Sequence, residues 1–326
     1  MRRLRDFASA LGCALSLMAA PAAARPAIWM FPPPSENGQA LRALFQDPAA
    51  WQQTRARIDG LGYADHWLNS QFSDAELRAW LPLIGKWHLK FGLEVGALKM
   101  WGPTADEAFA RDAPKWDRFV ADGAHLDSIA MDEPFAFVRR RLQQTMQYAA
   151  DQTARFVYRV RQRYPGAAVG DIEPYPGIPA DDLLGFLDLV QQRLRGWQVR
   201  GLDFFRADVD WMHFRPGDPA GAAGWQGVRD LQSRLHQRGI PFSLVYWAAD
   251  FPSQQRAGLA TEQTWQDGVM REGAAYAAVG GAPDEAVIES WLDIPNPALP
   301  ETNPGSFTRS VFDFTSEFAP GSGSGR

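Results

Sequence analysis

The feature that most constrains this chain is a rhythm. Eight short runs rich in β-branched and aromatic residues occur at 27–31, 63–68, 93–101, 126–131, 167–172, 202–209, 241–247 and 286–291, with successive starts 37 residues apart on average. Runs of this kind read as strands. Longer segments with helical apolar spacing lie between them, for example 75–90, 137–164, 181–197 and 227–238. A strand that returns to its sheet through a helix lies parallel to its neighbour and connects right-handedly. Eight such units predict an α/β chain folded as a single (β/α)8 TIM barrel, with an open doubly wound sheet as the alternative. No Pro/Gly/Ser linker divides the middle, so one domain is expected over 25–319. Its last helix should begin near 306–308, and a flexible tail should cover 320–326.

The first residues carry a different message. Arg2, Arg3 and Arg5 precede an apolar run from Phe7 to Ala20, and Ala22-Ala23-Ala24 supplies small residues where a signal peptidase cuts. This reads as a secretory signal over 1–24 and an exported, periplasmic or secreted product. Cleavage would leave 302 residues with a formal charge of −7, against −5 for the whole chain. No later stretch is long and apolar enough for a membrane span, and no basic footprint invites nucleic acid. The only cysteine, Cys13, lies within the signal, which excludes disulfides and cysteine nucleophiles from the exported chain. The five histidines form no metal-binding pair motif, and no phosphate-binding glycine loop occurs. Neither a metal nor an organic cofactor is therefore expected.

Barrel chemistry sits at the C-terminal strand ends. There the sequence reads Met131-Asp132-Glu133-Pro134 for strand four and Asp171-Ile172-Glu173-Pro174 for strand five. Arg206, Asp208 and Asp210 belong to strand six, and Glu289-Ser290-Trp291 closes strand eight. Any one of these acids could cap a helix or pair with arginine. Bringing all of them to one rim is costly unless they share protons or meet a ligand.

Asp132-Glu133-Pro134 resembles the Asn-Glu-Pro strand end of clan-A (β/α)8 glycoside hydrolases, with Asp in place of Asn. The chain departs from the clan at strand seven, where Val245-Tyr246-Trp247-Ala248 holds no carboxylate. The resemblance implies carbohydrate hydrolysis with Glu133 as general acid. It does not supply the second carboxyl group that glycoside cleavage requires. From alternation and position the candidates rank Glu289, then Glu173, then Asp208.

Six of the thirteen tryptophans (Trp29, Trp67, Trp101, Trp211, Trp247 and Trp291) fall on or just after predicted strands. Indole faces stack on the apolar faces of sugar rings, although such rings also fill cores. Trp101, Trp247, Trp291 and Tyr246 are therefore candidate substrate contacts, together with Asp132, Asp171, Lys99, His66, Asn69 and Arg206. Lys99, one of only four lysines, is placed within strand three, where an ion pair with the acids explains it at least as well as imine chemistry. The expected partner is a polysaccharide or oligosaccharide. A sugar-binding barrel without catalysis and a lyase or isomerase on sugars are the alternatives.

Overall fold

The computed structural model describes residues 25–99, 104–214 and 221–320. The signal segment, Trp101 and all but the first residue of the tail lie outside them. Eight parallel strands close into a barrel in chain order. They are β1 (Ala27–Phe31), β2 (Gly60–Ala64), β3 (Lys90–Val95), β4 (Ser128–Asp132), β5 (Ala168–Tyr175), β6 (Phe204–Val209), β7 (Phe242–Tyr246) and β8 (Glu285–Glu289). The helices before β5 are α1 (Gln39–Gln46), α2 (Gln52–Arg55), α3 (Asp65–Gln71), α4 (Asp74–Lys86), α5 (Ala105–Ala121), α6 (Pro134–Phe137) and α7 (Met146–Arg163). Those after it are α8 (Ala180–Gly196), α9 (Gly224–His236), α10 (Phe251–Arg256), α11 (Glu262–Ala278) and α12 (Phe307–Phe318). The TIM barrel expected from the eight-unit rhythm is the observed fold. Among the described residues no helix is long and apolar enough to cross a membrane.

Three local expectations need correction. The run 63–68 is strand only at its first two residues: β2 spans Gly60–Ala64, and Asp65 opens α3. Lys99 lies not in β3 but in the turn after it, where its N–H bonds to Gly96. The span 137–164 is broken into α6, a wider turn at 138–142 and α7, with Gln143 in the left-handed region (φ 53°).

Side chains alternate between the barrel interior and the helix layer. Trp29, Phe31, Val245, Trp247 and Val287 form one interior cluster, and Ala130, Ile172 and Phe204 form another. Room for β1's rings comes from β2. A Cβ on Gly60 would stand 2.3 Å from the Trp29 ring, and one on Gly62 would stand 2.1 Å from Phe31. The outward residues, such as Ile129, Met131, Val169 and Phe205, join the main core beneath the helices.

The N-terminal rim repeats one device four times. An aspartate immediately before each even-numbered strand accepts a backbone N–H from the strand before it. Asp59 takes Ile28 (2.9 Å), Asp127 takes Phe91 (2.9 Å), Asp203 takes Val169 (2.7 Å) and Asp284 takes Phe242 (2.7 Å). Each also has a basic side-chain partner: Arg25, His125, Arg161 and His236 respectively.

Candidate active site

At the opposite rim the carboxyl groups are far less evenly matched. Glu94 of β3, Asp132 of β4, Asp208 of β6 and Glu289 of β8 share their faces with the interior residues Gly92, Ala130, Phe204 and Val287. Glu133 follows β4 directly. Among the described residues, two cations stand against these five acids, Lys99 and Arg206.

Lys99 Nζ lies 2.9 and 2.8 Å from the two oxygens of Asp132 and 3.1 Å from Glu133 Oε2. Burial works against its charge, but Asp132 and then Glu133 outweigh it and hold the amine above its ordinary range. An imine-forming lysine needs a free amine, so this environment opposes that chemistry. Arg206 is 1% exposed beneath the acids, its Nε donating to Ser243 Oγ at 3.2 Å and its guanidinium lying 5.5 Å from Phe31 and 5.1 Å from Phe204. The ion-pair partner of Arg206 is not Asp208 on its own strand but Glu285, at 3.7 Å on the interior of β8.

Glu94 and Glu289 lie close enough to influence each other, and their contact favours a proton on Glu94 over one on Glu289. Burial, then the charges of Glu289 and Asp132, pushes Glu94 well above the ordinary carboxyl range. Burial raises Glu289 to about 7, against the opposing pull of Arg206 and of the Glu94 hydrogen bond. Burial and then Glu133, Asp132 and Glu289 push Asp208 far up as well, and its buried Oδ1 has no partner among the described residues.

Glu133 has a left-handed backbone (φ 50°, ψ 44°), unusual for a residue with a Cβ. What holds it is visible. Its N–H bonds to Ile172 and its carbonyl accepts from Phe137. Glu173, on the outward face of β5, accepts the N–H groups of Phe135 (2.6 Å) and Ala136 (3.0 Å). The end of β7 repeats this arrangement. Ala248 is left-handed (φ 60°), and Glu272 of α11 accepts the N–H groups of Trp247 (3.0 Å), Ala249 (2.8 Å) and the Trp211 indole (2.8 Å). Burial raises Glu272 to about 8 despite those donors.

The structure therefore separates the predicted site residues. Glu133, Glu289, Asp208, Asp132, Lys99 and Arg206 converge on the mouth. Trp247 joins them at its edge, 9% exposed and packed 4.5 Å from Trp291, with its indole N–H unpartnered among the described residues. Glu173 and Asp171 do share a face, as alternation requires, but it is the outward one, where both are fully buried. Ile172 between them is the interior residue, because the narrow barrel takes the apolar side chain and leaves the acids to the helix layer. Tyr246 also points outward, against Phe314 at 4.6 Å. Asn69 is engaged by Arg118 through both its carbonyl (3.0 Å) and its side chain (3.1 Å). His66 stands at the start of α3 beside Trp67 at 4.7 Å, its basicity lowered by burial and by Lys115.

Sequence reasoning missed Glu94. Starting the third strand at 93 puts that residue at the strand's first turn rather than near its far end. The small-residue alternation Gly92-x-Glu94, paired with Gly62-x-Ala64 across β2 and β3, was the available signal. Among the described residues no group of His, Cys, Asp or Glu is arranged to hold a metal ion.

No family model matches the chain, and no curated protein does. Similarity appears at the level of fold. A GH113 β-1,4-mannanase superposes with a TM-score of 0.52 at 14% identity, covering 89% of this chain and 98% of the mannanase. A glucosidase from Croceicoccus marinus gives 0.50 at 15% identity, covering 90% of this chain and 68% of the glucosidase. An aldolase, QR15, gives 0.44 at 10% identity over 81% and 88%. The chain thus shares its barrel with glycoside hydrolases, and at these identities the likeness is one of fold.

Proposed function

We propose that this protein is a glycoside hydrolase whose catalytic pair is Glu289 and Glu133. The observation that carries the proposal is the crown of five carboxyl groups at the C-terminal mouth, in which Asp132 and Glu133 share the Lys99 ammonium while Glu94, Asp208 and Glu289 have no ion-pair partner among the described residues. Glycoside cleavage needs this inequality: one carboxyl that gives a proton and one that carries charge. The glycosidase barrels with similar folds are consistent with it.

The geometry favours roles opposite to those the strand-four motif implies. Glu289, raised to about 7 by its burial at the mouth, suits the proton donor. Glu133, held against Lys99, suits the ionised partner. Glu289 protonates the glycosidic oxygen as the bond from the anomeric carbon breaks and the leaving sugar takes that proton. Glu133 supplies the electron pair to the anomeric carbon through a water it deprotonates, or directly to give a glycosyl ester that a second water, deprotonated by Glu289, then hydrolyses to free the sugar and Glu133. Glu94 and Arg206 stabilise Glu289 once its proton has gone. An exported protein cleaved after Ala24 would meet such substrates outside the cytoplasm.

The test is a panel of oligosaccharides and polysaccharides followed by reducing ends and product masses. New hydrolytic ends are expected, and they should fall by about 10²–10⁴-fold in both Glu133→Gln and Glu289→Gln. Unsaturated products would point to a lyase instead. Binding without cleavage would favour the non-catalytic sugar-binding barrel.

A further inference from the structure

Beside the acid crown lies a second feature, a cleft of about 750 Å³. It is built from the loops that follow four successive strands: β7 (Phe251, Gln255), β8 (Trp291, Asp293), β1 (Pro34) and β2 (Trp67). In the circle of strands this arc faces the end of β4, where Glu133 sits. Its size suits a ligand larger than one sugar ring.

The lining narrows the chemistry. Trp67 and Trp291 present aromatic surface, while Gln71, Gln255 and Asp293 present amides and one carboxylate. Among the described residues no Lys, Arg or His belongs to the wall, which disfavours phosphorylated or uronic ligands. A lipid would leave the amides and the carboxylate against hydrocarbon without partners. A neutral pyranose chain meets both requirements, with C–H faces for the rings and hydroxyls for the polar groups.

The cleft is also joined to the crown. Trp291 lines it, packs on Trp247 at the barrel mouth, and lies two residues beyond Glu289. We infer that the cleft is an extended binding arm for consecutive neutral sugar units, leading a chain along the β8 side into the mouth at Glu289, across from Glu133. This rests on the glycosidase reading and narrows its substrate to chains rather than small glycosides.

The experiment is calorimetric titration of the full chain carrying Glu133→Gln, so that ligand is not consumed. The probes are hexasaccharides and matching disaccharides of β-1,4-glucan, β-1,4-mannan, β-1,4-xylan and α-1,4-glucan. At least one hexasaccharide should bind about tenfold or more tightly than its disaccharide. Adding Trp67→Ala should remove most of that advantage, Trp67→Phe should keep part of it, and Trp197→Ala, an exposed indole at the end of α8, should leave it intact. Equal affinity for the two lengths, no binding of any hexasaccharide, or an advantage untouched by Trp67→Ala in a protein that still melts cooperatively would overturn the inference. The parent reading fails separately. A hexasaccharide that binds in a Trp67-dependent way, yet is never cleaved by the unmutated chain, would keep the arm and remove the hydrolase.

Discussion

The two rims of this barrel hold similar numbers of carboxylates and treat them in opposite ways. At the N-terminal rim Asp59, Asp127, Asp203 and Asp284 each receive a backbone N–H and a basic side chain. Every one of them links adjacent strands. At the C-terminal rim Glu94 and Glu289 face each other, Asp208 has a bare buried oxygen, and Lys99 is shared between Asp132 and Glu133. Acids placed for stability are partnered individually. Acids left to compete for too few protons and cations mark chemistry, since stability alone gives no reason to assemble them. Between these extremes stand Glu173 and Glu272, which lie outside the mouth and brace the left-handed turns at its edge.

If this contrast is right, substitutions at the two rims should move different observables. The largest effect is expected for Glu289→Gln: hydrolysis falls by about 10²–10⁴-fold, while the melting temperature at pH 8 stays the same or rises. A fall in melting temperature matching the fall in rate would make Glu289 a structural acid. Next comes pH. Glu289 must hold its proton to donate it, so activity should drop about tenfold per unit above pH 7. The sign for stability follows from the same group. Its folded value lies above the unfolded carboxyl value, so the native state binds the extra proton. That contribution is complete at low pH and is lost as pH rises through about 7. Melting temperatures measured from pH 5 to 8 should therefore decline, and less steeply in Glu289→Gln.

At the other rim, Asp203→Ala removes the acceptor of the Val169 N–H and the partner of Arg161, at a cost of about 1–3 kcal/mol in urea unfolding. Hydrolysis per folded molecule should not change. The smallest effect is assigned to Arg25→Ala. Its ion pair with Asp59 is partly open to solvent, and the loss should stay below about 1 kcal/mol and shrink in salt.

Much of the fold was legible because strand–helix spacing is a property of chain length, which sequence records directly. Asp132-Glu133-Pro134 and Glu289 were legible because a strand terminus announces itself by the break in apolar character. Which face an alternating strand turns inward is another matter. Period two relates Asp171 to Glu173 without saying whether both point to the axis or to the helices. Only the crossing of Ile172 with Ala130 and Phe204 decides it. Glu94 was hidden by a strand start placed three residues late, and Tyr246 by the assumption that an aromatic strand end faces substrate. The bracing of Glu133 by Glu173 joins residues 37 and 38 apart through backbone N–H groups, which no side-chain pattern reports.

The close fit of β1 rings over β2 glycines has a consequence for anyone reshaping this pocket. Trp29 and Phe31 form the floor under the acids, and Gly60 and Gly62 are the negative image of that floor. Single-site libraries will find both strands intolerant, since a larger residue on β2 collides and a smaller one on β1 leaves a void. Paired exchanges, with bulk moved from Phe31 to position 62, are the accessible route to a deeper mouth. The useful variation in this barrel lies in residue pairs across β1 and β2.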